Sequence, residues 1–542
     1  MIPLDTEIGR SRALVIDSNN ASRSALVSML RDFGIAEVTQ SRRPLDARRL
    51  IEHRYFDIVI CDYEFAGEPI NGQDLIDDLR LTSALPLSTV VVMISAEAGQ
   101  AKVAEAAEAA LDAYLIKPHT SAALRDRLLQ ARQRKRALGD VFALIDRCAY
   151  VEAAEWCQAR FETRGAAWVQ AARLGAELWL RVGKPHAAHR MFEAILSIGA
   201  VPWARLGVAR SQFERGSSVQ ARRSLESLLN DQPAYSDAYD VMARVLLDQG
   251  LPEQAVAASR EALHLTPGSI ARLVKHGLLA FYFGDSKEAS DVLARAVRYG
   301  LNSKVFDLQG LVLLALIQFD RNNLRDVSQS LRCITAARAD RMGSDRLRRF
   351  ESTIGILKAL LEHSVATAVS MVQQLLGEIR NPTFEFEAAC NLMGVLARLS
   401  RNELRLENLH QDALVLAQRF AVSHTTCELL VRALQTESAL CAIVRSAYAA
   451  ICADAEAAVS NTLEGAPGAA ARALIERAEV TLNGKLMDLA IHTIERHAAS
   501  IDDVQGLRDR ATGLRARYRS YGTQAQTGDA PGPGTFAGRD PA

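Results

Sequence analysis

The sequence predicts two parts: an α/β domain with a doubly wound parallel (βα)5 sheet, followed by an all-α superhelix of helical hairpins. Three observations predict this division. Short apolar runs alternate with amphipathic segments over the first 130 residues, strand patterns are absent from about residue 139 to 521, and a 34-residue period recurs in that second part. The 542 residues also exceed what one core accommodates, so a multidomain chain is expected.

Five apolar segments predict the strands of the α/β part. Several are continuous runs of Val, Ile or Leu, which is typical of parallel strands covered on both faces. The segments are residues 13–16, 37–39, 58–61, 90–94 and 113–116. Right-handed crossovers would place the intervening helices on both faces of the sheet. The clearest helical segments are residues 22–33, 72–80 and 99–109.

A basic run at residues 132–136 closes the α/β part. One interpretation is a basic binding patch, and the other is a solvated helix end whose cations face the negative end of the helix dipole. In either case the run marks a domain boundary. The expected organisation is an N-terminal tail at 1–11, the α/β domain at 12–130, hairpin repeats at 139–300, divergent helical repeats or a helical extension at 301–521, and a disordered tail at 522–542.

A repeat organises the helical part. Glycine, alanine and proline recur every 34 residues, at Gly216, Gly250 and Gly284, at Ala221, Ala255 and Ala289, and at Pro233 and Pro267. In a helical hairpin, glycine allows the turn, alanine allows close approach of the helices, and proline ends the second helix. One hairpin cannot bury its apolar face, so about three or more must stack. This pattern resembles the tetratricopeptide repeat over about residues 165–300.

Composition and charge argue against several functions. Lys plus Arg equals Asp plus Glu at 64 each, so no net field attracts nucleic acid or an anionic membrane. The first residues lack the apolar core of a signal peptide, and the longest apolar run, residues 311–317, is shorter than the roughly 18 residues of a membrane span. No phosphate-binding loop or metal-spaced His/Asp cluster follows residue 130. A cytoplasmic protein without nucleic-acid binding, a membrane span or an enzymatic output is expected.

Polar residues follow four of the predicted strands. Asp17, Asp62 and Lys117 come directly after three of them, and Ser95 ends the fourth. Because the carboxyl ends of parallel strands meet at one edge of a sheet, we expect these side chains to lie together. Two carboxylates suit Mg²⁺, a carboxylate can accept a phosphoryl group, and a fixed ammonium can hold the phosphoryl oxygens. The set predicts phosphoryl transfer to Asp62.

The sequence around these residues resembles the response regulator receiver family over roughly residues 12–130. The matching pieces are LVIDSNNASR, DIVICDYEFAGEPINGQDLIDDLR, VVVMISAEA and LDAYLIKPH. The resemblance implies that Asp62 accepts a phosphoryl group from a histidine kinase or a phosphotransfer protein. It also implies Mg²⁺ ligands at Asp17, Asp62 and the backbone carbonyl of Glu64. The protein would then be a phosphoacceptor, with at most self-phosphorylation and self-dephosphorylation at Asp62 as enzymatic activity.

The resemblance assigns the remaining polar residues to a switch. Lys117 would contact the phosphate, and the Ser95 hydroxyl would bind the phosphoryl group and draw its loop inward. Tyr114 matches an aromatic residue that moves on activation, although a fixed, partly buried tyrosine is an equal interpretation. The bond between Lys117 and Pro118 would be cis.

Two departures from the family pattern bear on the metal. The position of the second acid after the first strand is Ser18, which removes a carboxylate and is expected to weaken Mg²⁺ binding. The loop after Asp62 is also about two residues longer before Asn71 and Gly72. These departures leave open an alternative function, a phosphorylation-independent scaffold with a degenerate receiver.

The main hypothesis is a response regulator that signals through protein contacts of its repeat array. A superhelix of hairpins has a concave groove that suits peptide ligands, so an unidentified protein partner is expected. Its candidate groove residues are Trp203, Arg210, Phe213, Asp237 and Arg244. Packing between repeats or plain solvation is the competing explanation for each of them. Homodimerisation stays open.

Overall fold

The computed structural model places an α/β domain before a long array of helices. It describes residues 8–68, 71–81, 84–96, 112–199, 201–301, 306–339, 344–401, 408–435 and 437–518. The helix expected at 99–109, the tail expected at 522–542 and most of the tail expected at 1–11 lie outside these residues. Within the described residues, the predicted fold class of α/β followed by all-α is confirmed.

Five parallel strands form the sheet, in the order β2-β1-β3-β4-β5. The strands are β1 (Arg12–Ile16), β2 (Glu37–Ser41), β3 (Ile58–Asp62), β4 (Val90–Ser95) and β5 (Ala113–Ile116). Every residue of β3 and β4 is buried, as their continuous apolar runs predict. All five predicted strands are confirmed, and their ends differ from the prediction by two residues or fewer.

Helices cover both faces of this sheet. The described ones are α1 (Asn20–Asp32), α2 (Pro44–His53), α3 (Gly72–Leu81) and α4 (Ser121–Ala137). Leu30 and Leu124 belong to the core on one face, and Ile51 and Leu75 belong to the core on the other. The side chain of Asn19 accepts hydrogen bonds from two backbone N–H groups of the first turn of α1, so this helix begins directly after β1.

The end of α4 is a joint between the sheet and the array, which we define by five residues. Arg134 donates to the carbonyl oxygen of Asp112 at 2.5 Å, and Lys135 donates to the carbonyl oxygen of Leu87 at 2.6 Å. The Lys135 ammonium also lies 3.0 Å from a carboxylate oxygen of Asp112 and 5.5 Å from the ring centroid of Phe142. The interpretation as a solvated helix end is wrong for Arg134 and Lys135, because the first array helix and the loops of the sheet cover them.

The first half of the array consists of short helices, each packed on the next along the chain. They are α5 (Gly139–Asp146), α6 (Tyr150–Glu162), α7 (Trp168–Arg181), α8 (Pro185–Leu196), α9 (Pro202–Glu214), α10 (Ser218–Asp231), α11 (Ser236–Asp248), α12 (Pro252–Leu265), α13 (Ile270–Phe283) and α14 (Ser286–Gly300). The turns between them are short, so the predicted helical hairpins are confirmed.

The residues of the 34-residue period occupy the positions that hairpins require. Gly216 and Gly250 lie in turns with φ of 77° and 73°, a backbone conformation that favours glycine. Gly284 also ends a helix, but its φ of −117° places no such demand. The three repeat alanines are fully buried. At Gly277 a Cβ atom would lie 2.6 Å from Leu293, so glycine permits the close approach of α13 and α14.

The second half of the array is also helical. Its described helices are α15 (Gln309–Asp320), α16 (Leu324–Ala339), α17 (Asp345–Leu361), α18 (Val365–Gly377), α19 (Phe386–Arg401), α20 (Leu409–Phe420), α21 (His424–Ala433), α22 (Ser438–Leu463), α23 (Pro467–Thr481), α24 (Gly484–Arg496) and α25 (Val504–Arg517). The predicted helix pair at 386–399 and 403–420 corresponds to α19 and α20, although residues 402–407 lie outside the described ones.

Two of these helices return to earlier helices of the array. Asn391 of α19 exchanges two amide hydrogen bonds with Gln309 of α15, at 2.8 and 2.9 Å, and both side chains are buried. The hydroxyl of Thr425, in α21, donates to the carbonyl oxygen of Leu247, in α11, at 3.2 Å. Helix α21 also contacts α13. The array therefore closes on itself over residues 236–433.

One described helix has the length and composition of a membrane span. It is α22, with 26 residues and a mean hydropathy of 1.3 over its most apolar stretch, of which 33% is buried. Leu440, Val444 and Ile451 of this helix lie in the hydrophobic clusters of the array. Core helices meet the same criteria of length and composition, so this observation is weak evidence for a span.

Candidate functional site

The carboxyl edge of the sheet gathers the polar residues that follow the strands. Asp17 follows β1, Asp62 and Ser95 end β3 and β4, and Lys117 follows β5. These four strands are neighbours in the order β1-β3-β4-β5, so their ends are adjacent. Asp17 and Ser95 are each 1% exposed and Asp62 is 8% exposed. The edge is thus a small polar site in an apolar sheet.

Lys117 connects the two carboxylates of this site. Its ammonium lies 2.7 Å from Oδ2 of Asp62 and 3.2 Å from Oδ2 of Asp17. Its backbone N–H donates to the carbonyl oxygen of Ser95 at 2.7 Å. The amine, which is separated from the acids by 100 and 55 residues of sequence, is therefore positioned by β5 and β4.

The electrostatics of the site reflect burial of two acids beside one base. Burial raises the pKa of Asp62, the Lys117 hydrogen bond opposes this, and the nearby charge of Asp17 raises the pKa further. Burial acts to lower the pKa of Lys117, but its bonds to Asp62 and Asp17 outweigh burial and raise it. An incompletely neutralised acid pair of this kind is a favourable position for a further cation.

Asp17 is held by residues that the sequence-based reasoning missed. Its Oδ1 accepts from the backbone N–H of Asn19 at 2.7 Å, and its Oδ2 accepts from the hydroxyl of Ser22 at 2.6 Å. Arg23 donates to the carbonyl oxygen of Asp17 at 2.6 Å. The sequence signal that could have identified them is the helix cap at Asn19, which forces the first turn of α1 to begin beside Asp17.

The loop after β3 forms the second wall of the site. The hydroxyl of Ser18 accepts from the backbone N–H of Ala66 at 3.3 Å, which ties the loop after β1 to the loop after β3. Gly72 donates its N–H to the carbonyl oxygen of Tyr63 at 2.7 Å. A Cβ atom at Gly72 would overlap the carbonyl oxygen of Asp62, so only glycine fits there.

The other predicted site residues lie around this centre. Glu64 is exposed in the loop just after β3. Tyr114 is partly exposed in β5, but its hydroxyl is buried, and no hydrogen-bond partner for it is found among the described residues. The bond between Lys117 and Pro118 is cis, as the resemblance to the receiver family implies.

The donor set of this site suits Mg²⁺. Asp17 and Asp62 offer two carboxylates that approach one ammonium, and Glu64 follows two residues after Asp62. Among the described residues no cluster of three His, Cys, Asp or Glu side chains could enclose a metal ion. Mg²⁺ does not require such a cage, because it commonly keeps several waters and binds one or two carboxylates plus phosphate oxygens. The residues therefore fit a Mg²⁺ ion shared with a phosphoryl group.

The five candidate groove residues lie elsewhere, along the first half of the array. Each contacts a side chain of a neighbouring helix. The contacts are Trp203 with Phe192, Arg210 with Glu177, Phe213 with Arg244, and Asp237 with Arg272. All five residues therefore take part in contacts between helices, and the charge of Arg210 also acts on Asp237.

Comparison with known proteins identifies the α/β domain. Residues 13–129 match the response regulator receiver domain family. The chain is 31% identical over 117 residues to chemotaxis protein CheY-3 of Vibrio cholerae, a match that covers 22% of this chain and 88% of that protein. It is 26% identical over 123 residues to chemotaxis protein CheY of Pseudomonas aeruginosa, covering 23% of this chain and 97% of that protein.

A solved structure resembles part of the chain as well. It is a tetratricopeptide repeat protein from Parabacteroides merdae, with 14% sequence identity and a TM-score of 0.35. The similarity covers 49% of this chain and 98% of that one. We infer the hairpin architecture of the array from the contacts between its successive helices and not from this similarity.

Proposed function

Because the chain belongs to the response regulator family through its receiver domain, we propose that it accepts a phosphoryl group on Asp62 and signals through its helical array. The donor is a histidine kinase or a phosphotransfer protein. The observation that carries this proposal is the approach of the Lys117 ammonium to Asp62 at 2.7 Å and to Asp17 at 3.2 Å. The protein is a signalling phosphoacceptor whose own chemistry is limited to gain and loss of this phosphoryl group.

Each residue of the site has a role in this transfer. A carboxylate oxygen of Asp62 attacks the phosphorus of a phosphohistidine, the P–N bond breaks, and its electron pair leaves with the imidazole nitrogen. Lys117 holds the phosphoryl oxygens by charge. Mg²⁺, bound by Asp17, Asp62 and the carbonyl of Glu64, would neutralise the remaining negative charge.

The response to phosphorylation follows from the strand ends. Ser95 lies at the buried end of β4, where its hydroxyl would donate to the new phosphoryl group and draw the following loop inward. Tyr114, in the neighbouring strand β5, is the side chain that would move with that loop. The altered receiver surface would then change which protein the array binds.

The proposal includes the domain organisation and the location of the protein. We assign the receiver to residues 12–130, the hairpin array to residues 139–300 and its divergent continuation to residues 301–521. The protein would be cytoplasmic, with a protein ligand for the array and without nucleic-acid or membrane partners. The balanced charge of 64 basic and 64 acidic residues supports this assignment.

Acetyl phosphate tests the assignment of Asp62. Full-length protein is incubated with acetyl phosphate and Mg²⁺ and separated on a phosphate-affinity gel. We expect a shifted band for the wild type and for Asp46→Asn, which removes an exposed carboxylate of the same domain, and no shift for Asp62→Asn. A shift that persists in Asp62→Asn refutes the assignment, and the absence of any shift in the wild type favours the scaffold.

Ser18 is the observation that favours the scaffold as a second candidate function. A serine in place of the second acid leaves one carboxylate fewer for the metal. If the site is a weakened Mg²⁺ site, Ser18→Asp should lower the Mg²⁺ concentration needed for half-maximal labelling by about tenfold or more. Equal Mg²⁺ dependence of Ser18→Asp and wild type would contradict a metal site at this position.

A further inference from the structure

A cavity lies where the returning helices meet earlier helices of the array. Its volume is about 120 Å³, and it is bounded by α11, α12, α13 and α15 on one side and by α19 and α21 on the other. Most of its wall is apolar. The apolar lining includes Ala243, Leu247, Val274, Leu313, Phe386 and Leu429.

The helices α19 and α21, which close the array, form one wall of this cavity. The paired amides of Gln309 and Asn391 hold α19 against α15, and the bond from Thr425 to Leu247 holds α21 against α11. With a volume of about 120 Å³ the cavity suits a compact ligand, and an engineered apolar cavity of about 150 Å³ is known to accept benzene.

The charged groups of the lining differ in their partners. Arg272 lies 2.9 Å from Asp240, and Arg346 lies 2.8 Å from Asp307 and 3.4 Å from Glu387. The three acids of the lining are thus engaged by arginines. Arg244 of the lining is paired with Glu214 at 3.2 Å.

Lys275 is the exception among these charges. It lines the cavity from α13 and is partly buried, yet no carboxylate among the described residues lies within ion-pair distance of its ammonium. Its charge acts on Asp237, where it opposes the rise in pKa that burial causes. A partly desolvated ammonium beside an apolar cavity favours a ligand that brings its own anion.

We propose that this cavity binds a small amphipathic anion, with an aromatic ring or a short alkyl group inside and a carboxylate on Lys275. Such a ligand would touch both α13 and the returning helices α19 and α21. Its binding would stabilise the closed array, because a ligand that binds only the folded form adds its binding free energy to stability. The site is independent of phosphorylation at Asp62.

Three probes of similar size and different charge test the proposal. They are phenylacetate, 2-phenylethanol and phenethylamine, each titrated into the full-length protein by calorimetry. We expect phenylacetate to bind tightest. Lys275→Met should weaken phenylacetate about tenfold, as expected for loss of one charged hydrogen bond, and should leave 2-phenylethanol unchanged. Lys287→Met, which removes an exposed lysine of α14 outside the cavity, should change neither.

A second variant tests the position of the apolar group. Ala271 lines the cavity and is partly exposed, so Ala271→Phe should fill the space and abolish binding of all three probes while the circular dichroism spectrum is retained. If this variant fails to fold, the Lys275→Met comparison still tests whether the carboxylate of the ligand binds Lys275. Tighter binding of phenethylamine, equal binding of acid and alcohol, binding that survives Ala271→Phe, or no binding of any probe would each overturn the proposal.

Discussion

The burial of Lys135 at the joint between the sheet and the array is expected to make the unfolding free energy depend on pH. Its ammonium lies between the carbonyl oxygen of Leu87, the carboxylate of Asp112 and the ring of Phe142. Burial is the largest influence and lowers the pKa of Lys135 from 10.5 to about 8, although the charge of Asp112 opposes it. The side chain is 14% exposed, so solvent screens this shift little.

The pKa of Lys135 makes stability depend on pH. Between about pH 8 and pH 10.5 the unfolded chain binds more protons at this lysine than the folded chain, so stability rises with pH. The shift corresponds to a penalty of about 3 kcal/mol that is fully present below about pH 8. From about pH 7.5 to about pH 9.5 the wild type should gain about 2 kcal/mol of unfolding free energy relative to Lys135→Met, which retains the apolar stem without the amine.

Tryptophan fluorescence reports on the part of the protein that this change affects. All four tryptophans lie between residues 156 and 203, and Trp179 shares a hydrophobic cluster with Phe142 and Leu87. Urea unfolding followed by this fluorescence gives the unfolding free energy at each pH. The change between the two pH values is then compared between wild type and Lys135→Met. Lys287→Met is the exposed control. Parallel pH dependence of wild type and Lys135→Met would refute the reasoning.

Two further predictions concern packing in the array. Gly207→Ala should lower the unfolding free energy by about 1–3 kcal/mol in urea titrations, because its Cβ would overlap the ring of Phe192, whereas Gly199→Ala has open space and should change little. Gln309→Leu should lower the thermal midpoint because it strands the buried amide of Asn391, at a cost of about 1–3 kcal/mol. The double variant that also replaces Asn391 with Leu should recover part of this loss, and an additive loss would contradict the pairing.

Local patterns in the sequence were sufficient for the elements of the fold. Short segments, several of them continuous apolar runs, predicted the five strands, and the 34-residue spacing of glycine and alanine predicted the hairpins. Asp17, Asp62 and Lys117 were placed together because parallel strands end at one edge, a rule that depends only on strand positions. Ser22 and Arg23 were missed because their role depends on how the first turn of α1 meets Asp17.

Contacts between distant segments could not be read from the same patterns. The burial of Lys135 depends on Leu87 and Phe142, which belong to different domains, whereas its sequence neighbours suggest a solvated helix end. The return of α19 and α21 depends on pairs such as Gln309 with Asn391, 82 residues apart. Amphipathic spacing shows that a helix has an apolar face, but it does not show which surface covers that face.

The closure of the array fixes the number of its units. In an open solenoid each unit touches only its neighbours, so whole units can be added or removed with little effect on the rest. Here a bond spans the 178 residues between Leu247 and Thr425. Removing one 34-residue unit between them would rotate the returning helices out of register with α11 and α13. The closed segment is therefore expected to melt as a single cooperative block and to resist the gain or loss of repeats during evolution.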